Sequence, residues 1–205
     1  ICIAITGASG AVYCEYLLQF LVEQGYQINL VASDAGKLVA RYELKESRGL
    51  SLCHALRGKV PEVSVFKNDD YFAPMASGSN VAETMVVLPC SMGTLARIAN
   101  GTSDGLISRA ADVVLKQKKR LILCPRETPF NTIHLRNMLT LSEMGAFILP
   151  LMPGFYQAPH TISDLVKFMV GHILQTMDID HDLYRPWGEK HPSLATNFAG
   201  LNSQE

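Results

Sequence analysis

Arg126 and Glu127 stand between Pro125 and Pro129, directly after the apolar run Arg120–Cys124. Two charges held at such a point are poor candidates for plain surface. A guanidinium suits a phosphate or a polarised carbonyl, and a carboxylate beside it can move a proton. The competing reading is an internal salt bridge that pins the loop. A second set is Cys90-Ser91-Met92-Gly93-Thr94, whose hydroxyls can cap a following helix or meet a ligand. Capping alone explains them equally well. A serine or cysteine nucleophile has no support, because there is no G-x-S-x-G elbow and no histidine partner can be assigned.

Other stretches carry weaker chemistry. Ser77-Gly78-Ser79-Asn80 is an ordinary small polar turn, or a loop that approaches a phosphate held by a neighbouring subunit. Arg109 is spaced to pair with Asp112 along a helix. The basic run Lys116 to Arg120 suits a solvated helix end. Gly154-Phe155-Tyr156 follows Pro150 to Pro153, where aromatics pack or wall a pocket. Trp187, the one tryptophan, docks the tail or covers a site on another subunit.

The elements that must position these groups begin at the amino end. Ile1-Cys2-Ile3-Ala4-Ile5-Thr6 reads as a strand that runs into Gly7-Ala8-Ser9-Gly10-Ala11 and then a helix over Val12 to Val22. Small residues allow close backbone approach, and the amides of a helix start favour an anion. This pattern points to a bound mononucleotide or dinucleotide. It is not the full G-x-G-x-x-G spacing and has no P-loop lysine, so a tight turn without a ligand is the alternative. Further strand-like runs are 27–32, 63–66, 85–88, 120–124 and 146–149. Helical patterns cover 106–115, 133–144 and 162–177. Strands alternating with helices predict parallel βαβ units with right-handed crossovers. Ligands then gather at the carboxyl ends of the strands, where Ser33, Pro89 to Thr94, Pro125 to Pro129 and Pro150 to Tyr156 all fall. No linker divides the chain, so one domain is expected over 1–190, with a tail over 191–205.

A chain of 205 residues with 48% hydrophobic and 18% charged content can bury one α/β core. The low charged fraction hints at self-association. A net charge of −1 argues against general nucleic-acid binding. The five cysteines show no C-x-x-C pair, which fits reduced buried thiols and a cytoplasmic protein. The six histidines form no H-x-x-x-H pair, so no metal site is expected. No apolar run approaches a membrane span. No signal peptide is visible, and the chain begins without Met, which leaves room for a short missing segment.

Taken in order, Thr6-Gly7-Ala8-Ser9-Gly10-Ala11, Ala76-Ser77-Gly78-Ser79, Pro89-Cys90-Ser91 with Thr94, Arg109-Ala110-Ala111-Asp112-Val113, Leu115-Lys116, Pro125-Arg126-Glu127-Thr128-Pro129 and Gly154-Phe155-Tyr156 resemble one family. It is the UbiX-type flavin prenyltransferases of the homo-oligomeric flavin-containing cysteine decarboxylase superfamily. The resemblance runs from about Ile1 to Trp187. It implies a three-layer, Rossmann-like (flavodoxin-like) open parallel sheet with helices on both faces, non-covalent FMN and a homo-dodecamer with active sites at interfaces. It further implies transfer of a dimethylallyl group from dimethylallyl phosphate to N5 and C6 of reduced FMN, without a metal. The prenylated FMN would serve UbiD-type decarboxylases, a link to ubiquinone synthesis.

By matching position, the resemblance assigns FMN to Gly7, Ala8, Ser9, Ser33, Ser91, Met92, Gly93, Thr94 and Arg126, with Arg109 nearby. It assigns the donor phosphate to Lys116, Arg126 and Tyr156, with Ser77 from a neighbouring subunit. Glu43 and Glu127 would face the reacting groups, and Trp187 would help close the site. The family commonly has Arg where this chain has His172, which could still give a hydrogen bond, and a charge when protonated. Two other classes are an FMN-dependent decarboxylase of a cysteine-derived substrate and a non-catalytic flavin-binding regulatory subunit. The loops Ala76–Ser79 and Pro125–Glu127 disfavour the first, and the set Lys116, Arg126, Glu127 and Tyr156 disfavours the second.

Overall fold

The first strand and the long strand Thr84–Cys90 are buried along their whole length, and Ile28–Ala32 and Arg120–Pro125 at all but one position, the signature of a parallel sheet covered on both faces. The computed structural model describes residues 1–44 and 52–185. In chain order the elements are β1 (Cys2–Ile5), α1 (Ala11–Glu23), β2 (Ile28–Ala32), α2 (Asp34–Glu43), α3 (Leu52–Ala55), β3 (Val63–Phe66), β4 (Thr84–Cys90), α4 (Met92–Ala99), α5 (Leu106–Lys116), β5 (Arg120–Pro125), α6 (Thr132–Glu143), β6 (Phe147–Ile148) and α7 (Ile162–Thr176). The six strands lie in the order β3-β2-β1-β4-β5-β6, and every neighbouring pair is parallel. The order reverses between β1 and β4, which makes their carboxyl ends the natural ligand crevice.

Alternation along each strand sends side chains to two cores. Ile3 and Ile5 pack with Leu17, Leu21, Val170 and Ile173, from α1 and α7. Cys2 and Ala4 face the opposite layer, with Leu95 of α4 and Ala110 and Val114 of α5. This is the three-layer Rossmann-like arrangement expected. Cys2, Cys14, Cys90 and Cys124 are free and fully buried. Burial pushes the Cys2 and Cys90 thiols up to about 12 and raises those of Cys14 and Cys124 as well. No described helix is long and apolar enough to cross a membrane.

Two features were not anticipated. β4 runs through Pro89 to Cys90, with a register shift against β5 between Val87 and Cys90. Residues 34–43 form α2, which the sequence pattern did not mark. Ser33 starts it, its Oγ accepting from the Gly36 amide at 3.0 Å. Gly36 lets the helix lie against β1, since a Cβ there would come within 2.6 Å of the Ile5 carbonyl oxygen.

Candidate functional site

A cleft of about 300 Å³ opens at the carboxyl ends of β1, β2 and β4. Gly7, Ser33, Ser91 and Thr94 line it, as the strand-end pattern predicts. One buried side chain ties its two sides together. Thr6 Oγ1 donates to the Pro89 carbonyl at 2.8 Å and accepts from the Ser91 amide at 2.7 Å. Ser91 caps α4, its Oγ accepting from the Thr94 amide at 3.3 Å and donating to Thr94 Oγ1 at 3.1 Å. The next amides, of Met92 and Gly93, belong to the first turn and have no intrahelical acceptor. Gly93 is exposed, and Arg97 reaches back within 3.4 Å of where its Cβ would stand. Met92 itself is buried, so only its backbone can face a ligand.

The far wall of the cleft was missed by the sequence reading. Asn68, just past β3, accepts on its carbonyl from the Leu106 amide at 2.6 Å and on Oδ1 from Ile107 at 3.1 Å, which satisfies the start of α5. Arg97 donates to Asp104 at 2.8 Å, so the one carboxylate on this rim is neutralised. A strand-end rule extended to β3 would have found Asn68. Hydroxyls, first-turn amides and a guanidinium around a small glycine-edged cleft fit a phosphate group.

The anion at the start of α1 is not a ligand phosphate but a carboxylate of the chain. Glu43, at the end of α2, accepts on Oε2 from the amides of Gly10 at 2.9 Å and Ala11 at 2.8 Å. Burial by itself would raise its carboxyl. A hydrogen bond from Ser9, the two amides and the Arg126 charge outweigh that and hold it below the ordinary carboxylate range. Thus Ser9 is engaged with Glu43, and Ala8 turns into the core at 5% exposure. This corrects the expectation that the Gly7–Gly10 turn offers a free helix start to an anion.

Arg126 and Glu127 emerge where β5 ends, beside β4, with the Arg126 amide donating to the Cys90 carbonyl at 3.3 Å. Among the described residues no ion pair joins them to each other. Glu127 instead accepts from the Thr128 amide at 3.0 Å. The loop after β6 runs alongside, since the Leu151 amide donates to the Pro125 carbonyl. It carries Tyr156, whose ring meets Phe168 of α7 edge-on at 5.3 Å. His172 meets the same Phe168 edge-on at 4.6 Å between centroids. Burial, then the neighbouring His181, lower its basicity, so neutral imidazole is favoured near pH 7. Trp187 lies outside the described residues.

Within one chain Lys116 stands apart from Arg126 and the Tyr156 loop. α5 starts at the cleft and runs the length of the sheet to Lys116, roughly 16 Å away at 1.5 Å per residue. There the chain turns into β5, with Arg120 donating to the Glu83 carbonyl before β4 begins. Lys116 therefore sits at the amino ends of the strands and Arg126 at the carboxyl ends. The Ala76–Gly78 stretch lies along α5 between Arg109 and Gln117, the neighbour of Lys116. Arg109 Nε donates to the Ala76 carbonyl at 3.0 Å, and its Nη1 pairs with Asp112 at 3.1 Å. Gly78 lies against Gln117, whose Nε2 would be 2.5 Å from an added Cβ. The residues thus fall into two groups, one around the strand ends and one along the outward face of α5.

A family model described as Flavoprotein matches residues 1–174. The flavin prenyltransferase UbiX of Halalkalibacterium halodurans is 49% identical over 191 residues, 92% of this chain and 93% of that protein. The solved structure of AnUbiX (PadA1) in complex with FMN and dimethylallyl pyrophosphate superposes with a TM-score of 0.85 at 38% identity, covering 93% of this chain and 97% of that one. A dodecameric FMN-dependent UbiX-like decarboxylase from Escherichia coli gives a TM-score of 0.81 at 39% identity, covering 91% of this chain and 99% of that one.

Proposed function

The chain belongs to the flavoprotein family, among the UbiX flavin prenyltransferases, and from that premise we propose that it transfers a dimethylallyl group from dimethylallyl phosphate to reduced FMN. The observation that carries the reading is a phosphate-fitting cleft beside the Arg126–Glu127 loop, in a chain whose likeness to those enzymes spans both. Gly7, Ser33, Ser91, Gly93 and Thr94 hold the FMN phosphate end through backbone amides and hydroxyls. Reduced FMN, when bound, supplies the electron-rich N5 and C6 positions that receive the prenyl carbons.

The chain's own groups do the rest. Arg126 faces the flavin and the donor phosphate. As the donor's C–O bond breaks, the phosphate leaves with the electron pair, and anchored cations stabilise its charge. Glu43, kept ionised by its amides, is a fixed negative charge toward the allylic cation. Glu127, which accepts from the Thr128 amide of its own loop, is the candidate to accept a proton. The donor-phosphate group Lys116, with Ser77, comes from a neighbouring subunit, because one chain holds Lys116 at the opposite end of its sheet from Arg126. Fully exposed Phe72, with Ile133, Leu139 and Phe155, is apolar surface that a homo-dodecamer would cover. The buried free thiols fit a cytoplasmic setting. The product would serve a UbiD-type decarboxylase, including in ubiquinone synthesis.

The test is anaerobic incubation of the protein with reduced FMN and dimethylallyl phosphate, followed by mass analysis of the released flavin. A flavin heavier by one prenyl unit is expected. Unmodified flavin overturns the reading. Dimethylallyl pyrophosphate in a parallel reaction decides which donor form is used.

A further inference from the structure

Past α7 the chain doubles back, and Tyr184 lies flat on the helix. Gly171 makes this possible, because a Cβ there would stand 2.5 Å from Tyr184 Cδ1. The ring contacts Phe168 at 5.4 Å and His172 at 4.7 Å between centroids. Its hydroxyl donates to Gln175 Oε1 at 2.8 Å and lies 3.3 Å from His172 Nδ1. With that proton on Gln175, the phenol oxygen is placed to accept from His172 Nδ1–H. One residue on, the Arg185 carbonyl accepts from Gln157 Nε2 at 2.9 Å. The returning segment therefore grips both α7 and the loop that carries Tyr156. Phe168 lies between the two tyrosine rings, buried at 6% exposure, and also backs Gly154.

We propose that Tyr184 is a positioning residue for the donor site: seated on Gly171, it wedges Phe168 and so sets the Tyr156 ring in place. This rests on the reading that Tyr156 holds the donor phosphate. The aromatic ring supplies the wedge and the hydroxyl only locks its rotation, so the two parts are separable.

The experiment uses the full-length, FMN-loaded protein and measures donor KM and kcat, with the FMN dissociation constant alongside. Tyr184→Ala should raise the KM for dimethylallyl phosphate about tenfold, since a misplaced ligand group loses binding steeply with small displacements. FMN affinity and kcat should move far less. Tyr184→Phe keeps the ring and should bring KM back to within about twofold of the parent. Gly171→Ala displaces the ring and should reproduce the KM defect, which keeps the test available if Tyr184→Ala does not fold. Tyr156→Phe separates the two claims. If it raises donor KM while Tyr184→Ala and Gly171→Ala leave KM at the parental value, the positioning role is overturned. If Tyr156→Phe itself leaves KM unchanged, the assignment of Tyr156 falls, and this inference with it.

Discussion

Glu43 shows how a residue's partners decide its charge. Its carboxylate takes the place at the start of α1 that a ligand anion would occupy. The folded-state pKa is lowered, so the stabilisation is present above the ordinary carboxylate range and is lost as pH falls through the depressed value. Glu43→Gln keeps the acceptor geometry but removes the charge. It should cost a few tenths to about 1 kcal/mol at neutral pH and flatten the acid limb of a denaturation-against-pH series. An unchanged acid limb would mean that Glu43 carries no such linkage. This partnership was invisible in the sequence because 32 residues separate Glu43 from Ala11, and α2, which delivers it, has no strong apolar stripe, burying only Gly36 and Ala40. The strand-end serines were legible because β1, β2 and β4 are near-continuous apolar runs closed by small polar residues.

At the scale of elements, the cleft depends on how β1 and β4 are joined at their ends. Thr6 is 1% exposed and bridges the Pro89 carbonyl and the Ser91 amide. Thr6→Val keeps the shape and strands the Ser91 amide in a partly buried position. A loss of about 1–3 kcal/mol is expected from urea unfolding, with weaker FMN binding, because Ser91 then loses its anchor. The Pro89 carbonyl retains the Thr6 amide at 3.2 Å, which sets the upper end of that loss. A variant with parental stability and FMN affinity would show that the bridge does not hold the cleft. The bounds of the elements the pattern marked were readable to within one or two residues, but α2 was missed, and β4 runs on past its apolar run. There Pro89 reads as a strand terminator, yet the strand runs through it to Cys90.

Over the whole molecule, Lys116 and Arg126 lie at opposite ends of one sheet, so on the proposed reading one site draws them from two subunits. Ten positions separate Lys116 from Arg126 in sequence, which conceals that β5 runs the full depth of the sheet between them. Two defective variants, Lys116→Ala and Arg126→Ala, should each be nearly inactive alone. Mixed by co-refolding or co-expression, they should recover activity, toward roughly a quarter of the sites for random assembly. No recovery would mean that both groups serve a site within one chain.

The four buried thiols have a separate consequence for how the fold can be timed. Cys2, Cys14, Cys90 and Cys124 lie in the strands and helices that close both cores, and burial keeps them protonated. Alkylating reagents act on thiolates, so these positions react only when the sheet opens. Their labelling is a clock for opening, read strand by strand, with Cys90 and Cys124 timing the centre of the sheet directly under the cleft.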